Sequence, residues 1–324
     1  MDASKFMPDE AMVASIAADL KRYNGERAVA QAEVSRRRIL YFGGYTLAMA
    51  LVAAVMAWLL VETDADAFGF VIPIAAFCLF GYWIVAGIAS TPARRLQQSF
   101  RDTLLPRIFG FIGNVSYAHG RQPPSFSRLP RVATGHFNRT KFQDVIAGQY
   151  EGFEFELYET TLTYKGNKSS NTVFGGVVLA FGLTRRFPGT LVAVKSEPGI
   201  VRFFRDLFDR SGLETIEAAD PALAGLYEFR SDNPEAARPL VSGRFTQALD
   251  WLKDAWPGSL ARVALNGEDG FLLIPTTKDF FELPHISVET DYQAHVEPIV
   301  AEMVTLLATA ALVRQVTGEA DAAR

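Results

Sequence analysis

The chain has 324 residues, 49% of them hydrophobic and 21% charged, with a formal charge of −4. That balance excludes the global basic field of a nucleic-acid-binding protein, and the single cysteine, Cys78, excludes an intramolecular disulfide and a cysteine-rich zinc site. The mean hydropathy of +0.11 is high for a soluble chain of this size, and the apolar excess is concentrated: no Lys, Arg, Asp or Glu occurs from Ile39 to Val61 or from Ala67 to Ser90.

Residues 1–38 carry seven basic and six acidic residues. They are too long and too charged for a signal peptide. Pro8, Asp9 and Glu10 suit the first turn of a helix. Met12, Ile16, Leu20 and Tyr23 then repeat at helical spacing as a narrow apolar stripe, with Asn24-Gly25 the candidate break in it. The two uncharged stretches each exceed the ~20 residues a helix needs to cross a bilayer, which predicts spans 39–61 and 68–90 joined as a transmembrane hairpin (39–90). Arg36, Arg37 and Arg38 abut the first span, and Arg94 and Arg95 follow the second. The connector from Glu62 to Ala67 is acidic. Under the positive-inside rule both arginine clusters face the cytoplasm, with both termini, and the clusters meet anionic lipid there. Trp58, Tyr82 and Trp83 fall near span ends, as interfacial aromatics do. No ionisable side chain lies inside either span, so the usual marker of an ion or proton pathway is missing.

More than 230 residues follow Ser90. Pro92 opens a helical segment with Leu96, Phe100, Leu104, Ile108 and Ile112 at i+4 spacing, which Pro106 breaks or kinks. Arg121 to Pro130, with three prolines, reads as a linker, so that residues 91–130 form a membrane-proximal helix and tether, and 131–324 a cytoplasmic domain. There the period changes to that of strands: Val145–Gln149, Phe153–Tyr164, Thr172–Phe181 and Leu191–Lys195, with Pro188-Gly189 the expected turn between the last two. Phe153, Phe155 and Leu157 alternate with Glu154 and Glu156, whereas Leu162 and Tyr164 take the opposite parity, which predicts a bulge between Leu157 and Leu162. Gly199–Arg210 and Arg244–Ala255 read as helices. Leu226–Phe229, Ala261–Leu265 and Gly270–Ile274 read as strands, the last two joined at Asn266-Gly267-Glu268-Asp269 as a hairpin. A final helix, 296–316, has an uncharged run too short to span a membrane and is expected to pack on the sheet. The fold class is α+β: a two-helix hairpin, then a mostly antiparallel domain with flanking helices.

The order of these elements, with Asp144–Gly152, Phe155–Glu159, Val173–Phe181, Phe187–Val194, Leu213–Ile216, Asp220-Pro221 and Ser231–Ser242, resembles the bacterial membrane family called domain of unknown function 3137. The resemblance covers Asp144 to Ile274. It implies no assigned activity, no catalytic residues and no cofactor. Members are often encoded near LemA-type membrane proteins, which implies a membrane protein partner in an envelope assembly.

Direct chemistry is sparse. His119, His136, His285 and His295 have no zinc spacing among them, and neither nucleophile elbows nor phosphate-binding glycine loops occur. Gly175-Gly176 reads as a bulge or close backbone approach inside a strand. Glu154 and Glu156 share a strand face as a possible cation-chelating or acid/base pair, against the plainer reading of a solvated face. Arg185 and Arg186 beside Phe187 suit a phosphate or lipid headgroup, against a plain charged turn. Asp64 and Asp66 suit a divalent ion, against a polar turn. The sequence therefore predicts an inner-membrane protein in contact with the lipid bilayer. Its cytoplasmic domain is expected to bind a membrane protein partner or a second copy of itself, without catalysis. An enzyme or small-ligand sensor built from Arg185, Arg186, Glu154 and Glu156 is the alternative.

Overall fold

The computed structural model describes residues 7–63, 68–166, 169–196, 211–218, 223, 225–242, 244–256, 260–278, 280–281 and 284–319. The fold is mixed helix and antiparallel sheet, and it divides into two compact units: Glu10–Leu105 with Leu283–His295, and Pro106–Glu282 with Met1–Asp9 and Val296–Arg324. The expected helix Gly199–Arg210 falls outside the described residues, as do Asp64, Asp66 and Asp220-Pro221.

The first unit is built on α1 (Glu10–Thr63), a single helix of 54 residues and so about 80 Å long. It runs through Asn24-Gly25 without a break. The helix persists because Asn24 has a tertiary role: its Nδ2 donates to the Thr290 carbonyl (2.8 Å) and its Oδ1 accepts from the Thr290 N–H (2.9 Å). Arg27 donates to the Ile286 carbonyl at 2.7 Å. The predicted stripe is buried at Ile16, Leu20 and Tyr23, with Tyr23 edge-on to Phe100 at 4.9 Å. In α2 (Phe68–Ala89) later residues meet earlier residues of α1. Phe42 stacks on Tyr82, Tyr45 donates to the Cys78 carbonyl (3.2 Å) and Thr46 shares a 2.7 Å hydrogen bond with Tyr82. A Cβ on Gly81 would lie 1.9 Å from the Tyr45 hydroxyl, so a larger residue there would displace the Tyr45 ring. After α3 (Thr91–Ser99), a π-helical turn at Phe100–Leu104 widens the helix just before Pro106, and α4 (Leu105–Ile108) continues it. Proline therefore displaces the ladder here without ending the helix.

The second unit is a seven-stranded sheet: β1 (Gly113–His119), β2 (Arg139–Tyr150), β3 (Phe153–Lys165), β4 (Ser170–Lys195), β5 (Glu214–Ile216), β6 (Tyr227–Ser231) and β7 (Arg262–Pro275), in the order β1-β2-β3-β4-β6-β5 with β7 also on β4. Short α5 (Arg131–Thr134), α6 (Pro234–Val241), α7 (Arg244–Ala255) and the long α8 (Glu297–Glu319) accompany it. One face carries Tyr158, Leu162, Phe174, Val178, Val192, Ala264, Phe271 and Leu273 in a single core under Leu129 and Ala133. Phe153 lies on the opposite face, where Arg314 of α8 stands 4.4 Å over its ring. Val300, Met303, Val304 and Leu307 of α8 are fully buried. By length and hydropathy Tyr292–Gln315 is apolar enough to cross a membrane, yet most of it is buried within the protein, as expected of a helix packed on the sheet.

Three local expectations are corrected. Pro188-Gly189 is not a turn between two strands: β4 is one strand of 26 residues. Asn266-Gly267-Glu268-Asp269 is not a hairpin, because β7 is likewise continuous. These segments face each other (Gly182↔Asp269, Phe187↔Gly267, Thr190↔Asn266), so the turn residues serve irregularities in one shared ladder. Proline lacks an N–H to give and tolerates such a bulge. The parity change along β3 is not a bulge in β3 either. Leu157 and Tyr158 are both fully buried because both faces of the sheet are covered there, and the register shift lies in β2, between Phe142 and Val145. Gly176 meets the expectation of close approach: its φ is +150° and a Cβ would lie 2.1 Å from the Ile274 carbonyl oxygen.

Candidate functional site

A cleft of about 350 Å³ opens on the core face of the sheet where β4 leaves β3. Its floor follows from pairing. One rung across the sheet reads Ser116, Ala147, Glu156, Ala180, and the next brings Gln149 against Glu154 and Gly182 against Asp269. Alanines thus flank Glu156 on both neighbouring strands, and Gln149 stands beside Glu154. The roof is the 3-10 turn Pro124–Ser127 with Arg128. The Ser125 N–H donates to Glu156 Oε2 at 2.8 Å. Arg128 grips Asp269 through two bonds of 2.7 and 3.1 Å, and Asn266 Nδ2 donates to the Arg128 carbonyl at 3.0 Å. The Asp269 carboxylate raises the Arg128 pKa above its ordinary value, chiefly through these hydrogen bonds.

Glu154 is exposed at the rim, and no hydrogen bond or ion pair to it forms among the described residues. Ser125 is 1% exposed, and its hydroxyl lies against that of Tyr158. Burial holds the Tyr158 pKa far above its ordinary value, so this phenol stays neutral. The cleft therefore contains one neutralised cation–carboxylate pair, one carboxylate held by a backbone N–H and one uncommitted carboxylate. Among the described residues no group of three or more His, Cys, Asp or Glu could hold a metal ion.

Of the residues singled out from sequence, Glu154 and Glu156 meet in this cleft. Arg185 and Arg186 do not: they are exposed on β4 between Gly182 and Phe187 and line no part of it. Arg36, Arg37 and Arg38 lie in α1, and Arg94 and Arg95 in α3, with Arg37 paired to Glu33 and Arg94 donating to the Gly87 carbonyl. The sequence reading missed Arg128, Asp269, Asn114, Ser116 and Ser125. They come from an exposed edge strand, a segment taken for a linker and a segment taken for a turn, and none carries a periodic signal.

A second polar cluster stands at the edge of the sheet. Buried Asp144 accepts from the Tyr117 hydroxyl (2.5 Å) and is bonded to His119 Nδ1 (2.7 Å) through the same oxygen. These bonds tie β1 to β2.

Residues 172–314 match the model of a family described as "Protein of unknown function (DUF3137)". The match supports the resemblance read from the sequence, over β4 through α8. It includes Ala180, Gly182 and Asp269 of the cleft, whereas Ser125, Arg128, Glu154 and Glu156 precede it. Among solved structures, the mycobacterial trehalose monomycolate transport factor A, TtfA, is similar at 12% identity with a TM-score of 0.37, covering 64% of this chain and 93% of that one. That likeness is too slight to carry an argument. No curated protein matches the chain.

Proposed function

We propose that this chain is a bacterial inner-membrane protein. In this reading α1 and α2 form a two-span hairpin with Arg36–Arg38 and Arg94–Arg95 on the cytoplasmic side, and the sheet-bearing unit binds a membrane protein partner as part of an envelope assembly, without catalysis. One observation carries the membrane anchor: Leu47, Leu51, Trp58, Phe77, Leu79 and Trp83 are each 63–73% exposed along the uncharged lengths of α1 and α2. Leaving six such side chains in water forgoes on the order of 10 kcal/mol of burial, comparable to the whole stability of a domain. A bilayer removes that cost. The arginines fit the positive-inside rule, because both clusters flank the same end of the paired helices.

The partner-binding reading draws on the absence of any recognised catalytic motif in the sequence, and on the family resemblance, which implies a neighbouring membrane protein. Affinity purification of the full chain in mild detergent tests it. Recovery of a stoichiometric membrane partner is expected; a co-purifying nucleotide, lipid or metal in its place refutes it. A cytoplasm-active reporter fused after Arg324 should be active, and silence there overturns the topology. The cleft is the one observation that favours the second reading, a small-ligand site assembled from dispersed residues, though with Arg128 and Asp269 in place of Arg185 and Arg186.

A further inference from the structure

We propose that the end of the sheet around Arg139, Lys141 and Lys165 docks on the phosphate headgroups of an anionic bilayer surface; this rests on the membrane-anchor reading above and is independent of the protein partner. Charge is segregated along the chain. No Asp or Glu occurs from Thr103 to Gln143, where six Lys and Arg fall, or from Thr160 to Ser196, where five fall, although the chain as a whole is acidic. The register of β2 on β3 brings the two runs together: Arg139 pairs with Thr163, Thr140 with Leu162, Lys141 with Thr161 and Phe142 with Thr160. Side chains two apart on a strand share a face and stand about 7 Å apart, so Arg139 and Lys141 project together, and Lys165 stands on the diagonal from Arg139. Leu162 and Phe142 turn the other way, into the core. Across β3, Lys165 pairs with Ser170 and Thr163 with Thr172. The result is a face of three cations among hydroxyl side chains. All three cations are exposed, and none forms an ion pair among the described residues.

Lysine and arginine heads offer donors and no acceptor, which suits the phosphate oxygens of a headgroup layer, and the neighbouring hydroxyls add further donors. Each basic residue near an anionic leaflet raises partition about fivefold, so three together supply on the order of a hundredfold. Tyr164 emerges at the same end of the sheet, 5.6 Å from the His136 ring. At 43% exposure it is the one exposed large hydrophobic side chain of the sheet-bearing unit among the described residues, and tyrosine is a residue type that settles at a headgroup interface. Nucleic acid suits the face less well: the chain's formal −4 opposes a polyanion at long range, whereas in the membrane reading α1 and α2 already hold the chain at a bilayer. Tethering raises the effective concentration of headgroups, so many weak contacts suffice and no single lipid need be held.

The test uses the full chain carrying Cys78→Ser and Ser169→Cys, with a nitrobenzoxadiazole dye on the introduced thiol, in nanodiscs of phosphatidylcholine alone or with about 30% phosphatidylglycerol. Dye emission should be at least about twofold brighter in the anionic discs at about 0.1 M salt, and the gain should vanish at about 0.5 M salt. Arg139→Ser/Lys141→Ser/Lys165→Ser, three changes at exposed positions, should abolish the gain. The charge-keeping Arg139→Lys/Lys141→Arg/Lys165→Arg should retain it, as should Arg186→Ser/Arg238→Ser/Lys253→Ser, an equal loss of charge elsewhere on the same unit. Emission indifferent to lipid charge, or equal loss in the two serine variants, overturns the proposal while a chain seated in the discs leaves the anchor reading standing. A chain that enters no disc overturns the anchor reading and this proposal with it. An equal gain on adding polyuridylate to the chain in neutral discs assigns the face to nucleic acid and overturns the lipid assignment.

Discussion

Replacing Asn24 by alanine isolates one side chain that holds two distant parts of the chain together. Its amide forms two hydrogen bonds with the main chain of Thr290, and Thr290 is 3% exposed, so water cannot replace them in the closed state. Two such bonds contribute about 1 kcal/mol each, and orphaning buried partners adds about 1 kcal/mol more. Alanine is the better helix former in the middle of α1 by about 0.6 kcal/mol, which offsets part of the loss. The net cost is about 2 kcal/mol, borne by the 284–291 segment because α1 itself is continuous. Since 1.4 kcal/mol is a factor of ten, amide exchange at Thr290 should accelerate about thirtyfold, measured by hydrogen–deuterium exchange on the chain in detergent. Amides of the β4–β7 ladder should not change. Unaltered exchange at Thr290 would refute the assignment of Asn24 as the clip, and a uniform acceleration through the sheet would refute its local character.

Gly176→Ala forces a Cβ against the Ile274 carbonyl in a conformation with φ near +150°; a loss of about 3 kcal/mol is expected from strain and overpacking, read as a lowered urea midpoint. Tyr158→Phe removes a buried hydroxyl whose polar neighbour is the Ser125 hydroxyl, so it should lower that midpoint by no more than about 1 kcal/mol equivalent; a larger loss contradicts the geometry. Burial raises the pKa of Tyr150, Tyr158 and Tyr227, so the stability they contribute is complete below pH 10 and falls as pH rises through 10 toward the higher folded values. Arg262 works in the opposite sense, because burial pulls it down to about 10 from 12.5 and the cost of its charge is relieved above pH 10. Urea midpoints between pH 8 and 11.5 should therefore fall above pH 10, and more steeply in Arg262→Met.

What the sequence made legible were patterns decided locally or by solvent. The stripe of Ile16, Leu20 and Tyr23, the uncharged lengths of α1 and α2, the alternation of Phe153 to Leu157 and the apolar face of α8 all report which side of an element meets water. Edge strand β1 was not legible: its residues are half-buried at most, so Gly113–His119 carries no alternation to read. Asn24 was misjudged for a related reason. Asn-Gly is a turn signal in isolation, and only Thr290, 266 residues away, makes it compatible with a helix. Half of the cleft was visible as Glu154 and Glu156. The other half was not, because Arg128 and Asp269 stand 141 positions apart and meet only through the fold.

The error at Pro188-Gly189 and Asn266–Asp269 has the same physical origin as the cleft. β4 pairs with β3 up to Phe181 and with β6 from Leu191, and between them it touches β7 at only Gly182, Phe187 and Thr190. Turn-forming residues let the strand leave its neighbour without ending, because the apolar runs on either side, Val177–Phe181 and Leu191–Val194, are buried in one sheet. Where the strand departs, the row beyond Ala180 loses its next side chain at Gly182, and Asp269 of the facing irregularity comes within reach of Arg128. A straight ladder would place a filled rung there and leave no room beside Glu154 and Glu156. Turn residues between two apolar runs therefore do not settle whether a hairpin or a bent strand results; the long-range partner does, here β7, and the bend it permits makes the opening in the sheet.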